Sequence, residues 1–316
     1  MYRKIMGFLE AWKESKHRKP LILQGARQVG KTYSILEFGR THYENVAYFN
    51  FETNPKLNET FEENISPDYL IPILSHIAGQ TIVTEKTLIV FDEVQLCERA
   101  LTSLKYFCEN APDYHIIVAG SLLGVAVNRA KFSFPVGKVD MKTLYPMDME
   151  EFMLALGEDD LVEQIKKCFQ TDTPLPSALH DAAMQLYRQY LVVGGMPECV
   201  MQFAETKDYI LVRHTQDTIL ASYLNDMSKY NNLNEIKKTR LAYDNITVQL
   251  SKKNTRFQYK LIKKGGRASE FEKAIEWLCL SGIVSQVYKV EQIKKPLENY
   301  RDIDAFKIYV SDLGLL

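Results

Sequence analysis

A chain of 316 residues, 46% hydrophobic and 25% charged, has the composition of an ordinary globular protein and the length for two or three domains. Its formal net charge of −1 excludes a whole-molecule preference for nucleic acid or anionic membrane and leaves local asymmetry as the route to either. The five cysteines (Cys97, Cys108, Cys168, Cys199, Cys279) show neither CxxC nor Cys/His spacing, so they read as reduced thiols rather than a zinc site or a disulfide framework.

The N-terminal stretch MYRKIMGFLEAWKESKHRKP interrupts its apolar residues with charge and is no signal peptide. Ile5, Phe8, Leu9 and Trp12 recur at helical spacing instead. No apolar run approaches the ~20 residues that span a bilayer. The chain is therefore expected in the cytoplasm, without a membrane partner.

Leu21–Leu23 reads as a short buried strand. It runs into Gly25-Ala26-Arg27-Gln28-Val29-Gly30-Lys31-Thr32, a full match to G-x-x-x-x-G-K-[ST], with Tyr33 next and a helix following. Glycines let the backbone turn tightly, so that successive amides point at phosphates, and the helix N-terminus adds partial positive charge. Residues Gly25 to Tyr33 are thus the nucleotide-binding candidates. Lys31 would reach the β- and γ-phosphate oxygens and Thr32 would place its hydroxyl on Mg²⁺. Arg27 belongs to the loop backbone and is a further phosphate-proximal candidate. ATP and Mg²⁺ are the cofactors implied.

Val46–Phe51 is a second strand. Thr87-Leu88-Ile89-Val90-Phe91-Asp92-Glu93 is a third, buried in pattern and ending in two carboxylates. Taken alone, two acids at a strand end face solvent. Downstream of a P-loop, Asp92 stands where a Walker B aspartate holds the Mg²⁺ shell, and Glu93 where a base polarises the attacking water. A kinase must keep water from the γ-phosphate, so Glu93 favours hydrolysis.

His115–Ala119 is a fourth strand, ending at Gly120-Ser121. In additional-strand P-loop ATPases this strand lies between the P-loop and Walker B strands. Ser121 would hydrogen-bond the γ-phosphate or the attacking water, or cap a helix at Leu122-Leu123-Gly124, and the two roles are compatible. Arg129, Lys131 and Lys138 follow. Arg129 is either a loop charge or a finger on a neighbouring subunit's ATP, the latter implying self-association. Val139–Leu144 completes five strands alternating with helices, which implies a parallel α/β sheet with nucleotide at the strands' carboxyl ends.

From residue 146 the pattern is helical. Met149–Leu156 and Leu179–Leu191 read as helices about a loop at Asp172–Pro176, and Gly194-Gly195-Met196-Pro197 as a turn. Ile236, Tyr243, Ile246 and Leu250 fall at helical spacing. Ser269-x-x-Glu272 reads as a capping box opening a helix with Phe271, Ala274, Ile275, Leu278 and Cys279 on one face, closed by Gly282. Ile283–Val290 and Ala305–Ser311 then read as two strands, a wing. Residues 237–267 carry ten Lys/Arg and one acid, Asp244, a local balance of +9. Such a patch suits duplex DNA, or packing of this domain on the core.

GARQVGKT, LIVFDEVQ, VAGSLL, LYPMDMEEF, GGMPE and FKIYVSDLGLL, in this order, make the sequence resemble the bacterial and archaeal AAA+/STAND-like ATPases that carry a C-terminal nuclease-like domain. The resemblance covers nearly the whole chain. It implies an additional-strand AAA+-like P-loop core (1–146), a helical lid (147–232) and a C-terminal winged helix (233–316). It also implies that Gly194, Gly195 and Pro197 wall the adenine side of the pocket. Gly137-Lys138 stands where many relatives have Gly-Arg. The matching Asp-x-Gly-Leu leads into the nuclease-like domain in the family, so Leu313, Leu315 and Leu316 are expected to pack on the winged helix or to be the stump of a removed domain. The function expected is an ATP-binding and ATP-hydrolysing switch. The alternatives are a DNA-binding regulator with little turnover and a P-loop kinase.

Overall fold

The computed structural model describes residues 1–121, 135–230, 233–252 and 256–316, which form two compact units, Met1–Tyr145 and Pro146–Leu316. In the first, α1 (Ile5–Glu14) leads to β1 (Leu21–Gly25), α2 (Lys31–His42), β2 (Asn45–Asn50), α3 (Leu57–Glu63) and α4 (Pro67–Ala78). Then come β3 (Thr87–Asp92), α5 (Glu98–Asn110), β4 (His115–Ser121) and β5 (Asp140–Leu144). The five strands form one parallel sheet in the order β2-β3-β4-β1-β5.

The sequence explains which strands are central. Every residue of β3 is buried, as is β4 up to Gly120, because a parallel sheet is covered on both faces and its inner strands must be apolar throughout. The edge strand β2 alternates instead, with Ala47 and Phe49 buried and Tyr48 exposed between them. On one face Phe49, Phe51, Phe61 and Phe91 meet at ring-centroid separations of 5.5 to 6.0 Å, mostly edge to face. Gly39 lets α2 lie close to the sheet, since a Cβ there would come within 2.5 Å of the Val46 side chain. With β4 inserted between β1 and β3, the carboxyl ends Gly25, Ser121 and Asp92 share one edge of the sheet.

The second unit begins with α6 (Met149–Ala155), α7 (Asp159–Gln170), α8 (Ser177–Val193), α9 (Pro197–Thr206) and α10 (Tyr209–Tyr230). It ends with α11 (Leu233–Leu250), α12 (Tyr259–Ile262), α13 (Ala268–Leu280) and an antiparallel pair, β6 (Val284–Val290) and β7 (Arg301–Val310). The lid and the C-terminal domain expected from the sequence both fall inside this unit. No helix among the described residues is long and apolar enough to cross a membrane.

Three sequence motifs meet here. Asp148 opens α6 with a capping box, its side chain accepting the Glu151 amide at 3.0 Å while Glu151 accepts the Asp148 amide. Just before it, the Met147 amide donates to the Gly195 carbonyl (2.7 Å) and the Met147 carbonyl accepts the Tyr190 hydroxyl (2.8 Å). A Cβ on Gly195 would fall 2.0 Å from that carbonyl oxygen, so only glycine fits. The Gly195 amide in turn donates to the buried carboxylate of Asp312 at 2.5 Å. Beyond Asp312, Leu315 is buried and its carbonyl accepts the Tyr243 hydroxyl at 2.7 Å, whereas Leu313 and Leu316 are exposed.

Burial pushes the Asp312 carboxyl up from 3.8 to about 6, with the amides of Gly195, Gly314 and Leu315 holding it back. A raised carboxyl favours the protonated form in the folded state. Its contribution is therefore fully present below the unfolded pKa and is lost as pH rises through about 6. Asp312→Asn keeps an acceptor for Gly195 but cannot ionise. Between pH 4 and 7 the wild type should lose stability relative to this variant, up to about 3 kcal/mol from a shift of this size. Denaturant titrations of both proteins across that range check it, and parallel curves would refute it.

One expectation is corrected. Ser269 and Glu272 form no capping box: α13 starts at Ala268 behind Arg267, without a side-chain cap, which puts Ser269 inside the first turn. The expected closure of that helix is seen, with Gly282 at φ 75° and its amide on the Cys279 carbonyl.

Candidate functional site

The loop between β1 and α2 is shaped by its backbone. Gly30 sits at φ 88° and Gln28 at φ 62°, both left-handed, the first with little strain and the second at a cost of roughly 1–2 kcal/mol. Gly25 lies against β5, where a Cβ would come within 2.3 Å of the Leu144 carbonyl oxygen. The loop thus begins on a contact that excludes any side chain, and α2 starts directly behind Gly30.

Lys31 folds over this loop and donates to the carbonyls of Gly25 (3.1 Å) and Ala26 (2.7 Å). Burial lowers its pKa to about 8, against the pull of Glu93 and Asp92 and with the help of Arg27. Both carboxylates are therefore within electrostatic reach of the ammonium, although they lie some sixty residues along the chain.

Asp92 is buried at the end of β3. Its Oδ2 accepts the Thr32 hydroxyl at 2.9 Å and the Tyr48 hydroxyl at 2.7 Å, and its Oδ1 accepts the Glu93 amide at 3.0 Å. Glu93 itself has a left-handed backbone, φ 52°, which ends the strand at that residue. Strain of this kind in a non-glycine residue clusters at functional sites. The Gln95 side-chain amide donates to the Glu93 carboxylate. Ser121 pairs in register with Gly25 across β1 and β4, beside the start of the loop.

Gly25 to Tyr33, Asp92, Glu93 and Ser121 thus gather at one sheet edge. Arg129 and Lys131 lie outside the described residues. Lys138 is bound to Glu109 at 2.9 Å, an exposed pair on the surface. Gly195 and Pro197 belong to the second unit, where Gly195 bridges Met147 and Asp312 and Pro197 opens α9.

Two residues of this site escaped sequence reasoning. Tyr48 reaches Asp92 from β2; although the ring is partly exposed, desolvation of the hydroxyl and its bond to Asp92 raise its pKa to about 12, keeping it a donor, and the Asn50 side chain donates to it at 3.1 Å. The signal was the register, since a polar residue one position before Phe49 faces away from the apolar side of the edge strand. Arg3 is buried and donates to the loop carbonyl of Val29 at 2.9 Å. Nothing in its spacing marks it.

Residues 17–153 match the family described as an AAA domain. The fold is that of a P-loop ATPase of the AAA kind. Residues 184–316 match a domain of unknown function (DUF8612). Among solved structures, the chain is similar to the Walker-type ATPase PABY2304 of Pyrococcus abyssi, at 13% identity and TM-score 0.59, covering 99% of this chain and 94% of that one. It also matches Orc1 of Aeropyrum pernix in complex with DNA (13% identity, TM-score 0.32, 98% and 87% covered). AMPPCP-bound DnaA of Aquifex aeolicus is matched at 10% identity and TM-score 0.36, with 87% and 86% covered. No curated protein matches the sequence.

Proposed function

We propose that this chain binds and hydrolyses Mg·ATP as an AAA+/STAND-like switch. The observation that carries the reading is the 2.9 Å contact between the Thr32 hydroxyl and Asp92 Oδ2, with Lys31 and Glu93 in electrostatic reach of each other beside it. A hydroxyl and a carboxylate converging on one point are the hard oxygen donors a Mg²⁺ shell takes, so the residues present fit the ion. Mg²⁺, when bound, neutralises charge on the β- and γ-phosphate oxygens. Lys31 holds its ammonium for the same oxygens, the loop amides orient the phosphates, and Glu93 accepts the proton of the attacking water. Ser121, at the end of β4, is suited to orient that water.

In the second unit, α11 to α13 followed by β6 and β7 have the element order of a winged helix, and we read them so. Duplex DNA is its proposed partner. Lys237 on α11, Lys252 just after it, Lys260 on α12, and Lys264 and Arg267 on the connection to α13 are exposed. Part of the local charge is already paired: Lys238 with Glu235 (3.0 Å), Lys263 with Glu270 (3.3 Å) and Arg240 with Asp244 (3.9 Å). Exposed lysines release phosphate counterions on binding, which makes affinity steeply salt-dependent.

The deciding experiment is phosphate release measured with and without duplex DNA. Turnover without any acceptor molecule supports the ATPase and dismisses a kinase. Tight ATP binding with negligible turnover favours the DNA-binding regulator. For the partner, Lys252, Lys260 and Lys264 changed together to Glu should leave ATP binding intact and weaken duplex binding. The slope of log affinity against log salt should shrink by about 0.9 for each phosphate no longer neutralised. Wild-type binding that ignores salt, or is absent, would retire the DNA partner.

A further inference from the structure

The first residues of the chain reach into the nucleotide loop. Arg3 is 4% exposed and precedes α1, yet its guanidinium donates through Nη1 to the carbonyl of Val29 (2.9 Å) and through Nη2 to the carbonyl of Tyr145 (2.8 Å). Val29 lies inside the loop, one residue before Gly30, and Tyr145 directly follows β5. One side chain therefore ties the loop to the far end of the first unit's fifth strand.

The geometry of the peptide group gives this tie a consequence. In a planar trans peptide the carbonyl of residue i and the amide of residue i+1 point in opposite directions. Fixing the Val29 carbonyl on Arg3 therefore fixes the direction of the Gly30 amide, on the opposite side of that peptide plane. Gly30 is the residue least able to hold that plane unaided, because glycine takes left-handed and right-handed conformations almost equally well. Its observed φ of 88° is one choice among several. An arginine is suited to hold it, because it stays charged when buried and its planar fork fixes the direction of both bonds, whereas the donors of an ammonium rotate freely.

We infer that Arg3 is a positioning residue for the nucleotide site, locking the Val29–Gly30 peptide plane so that the Gly30 amide is aimed at phosphate before any nucleotide arrives. The inference rests on the ATP-binding reading above. It says that part of the site's affinity is preorganisation supplied from outside the G-x-x-x-x-G-K-[ST] motif, by a residue that touches no ligand.

Arg3→Lys and Arg3→Met test it against the wild type in the full chain. The readouts are thermal melting, Mg·ADP affinity by calorimetry and the Gly30 amide resonance by ¹⁵N–¹H NMR. Arg3→Met should fold with a lowered melting temperature, bind Mg·ADP at least about tenfold more weakly and shift the Gly30 amide, the scale of losing one charge-assisted hydrogen bond. Arg3→Lys should recover part of the affinity and part of the shift. A folded Arg3→Met with wild-type affinity and an unmoved Gly30 amide overturns the inference. If Arg3→Met does not fold, Arg3→Lys decides on the same two readouts. Should the wild type fail to bind Mg·ADP, the ATP reading falls first, and an unmoved Gly30 amide in Arg3→Lys then overturns the positioning role separately.

Discussion

Lys31→Ala is expected to fold and to lose useful affinity for Mg·ATP, by about two orders of magnitude or more. The side chain's present partners are two loop carbonyls, Gly25 and Ala26, which water entering the space vacated by the lysine can take over, so stability should change little. Its future partners are charged oxygens. Each charge-assisted hydrogen bond removed is worth roughly 1.5–3 kcal/mol, and two of them exceed a hundredfold in affinity. The depressed pKa of Lys31, about 8, adds a second signature. Below that pH the ammonium is ready for phosphate, whereas above it the neutral amine must first take up a proton. Wild-type affinity should therefore decline as pH rises past about 8, while the residual affinity of Lys31→Ala stays flat over the same range. Calorimetry on both proteins, on either side of that pH, tests both statements. Unchanged affinity in a folded Lys31→Ala would overturn the site assignment.

Much of this was legible in the sequence, for reasons that differ by residue. The central strands could be read because burial on both faces forces a continuous apolar run, as in Leu88–Phe91 and Ile116–Ala119. Gly30, Lys31, Thr32 and Asp92 could be picked out as candidates because phosphate and metal chemistry narrows the residue types allowed. Their convergence depends on β4 entering between β1 and β3, which no residue pattern encodes and which was expected only through the likeness to additional-strand P-loop ATPases. Tyr48 was hidden by strand register and Arg3 by distance, since a side chain that works on a backbone carbonyl leaves no pattern beside its partner.

The motifs LYPMDMEEF, GGMPE and SDLGLL carried the family resemblance without a physical account. The structure supplies one: a capping box at Asp148 and Glu151, and a backbone contact at Met147 that only Gly195 permits. A buried Asp312 then receives the Gly195 amide. Ser269 shows the opposite failure. Its spacing to Glu272 fits a cap, but the helix begins one residue earlier, and a pattern carries no record of where the first turn starts.

Glu93→Gln is expected to separate binding from chemistry. Glutamine keeps the length of the side chain, can hold the left-handed backbone at φ 52° no worse than glutamate, and still offers Gln95 an oxygen. What it removes is a proton acceptor and a negative charge near Lys31. Mg·ATP affinity should stay near the wild-type value, because Thr32, Asp92 and the loop amides are untouched. Turnover should fall at least about a hundredfold, the scale of losing a general base. The contrast with Lys31→Ala matters most: one variant should fail to bind, the other should bind and stall. Single-turnover phosphate release, with protein in saturating excess over Mg·ATP, measures the chemical step without interference from affinity. If Glu93→Gln turns over as fast as the wild type, the carboxylate is a surface acid held by Gln95 and another group activates water. Ser121, at the end of β4 beside Gly25, would be the next residue to change.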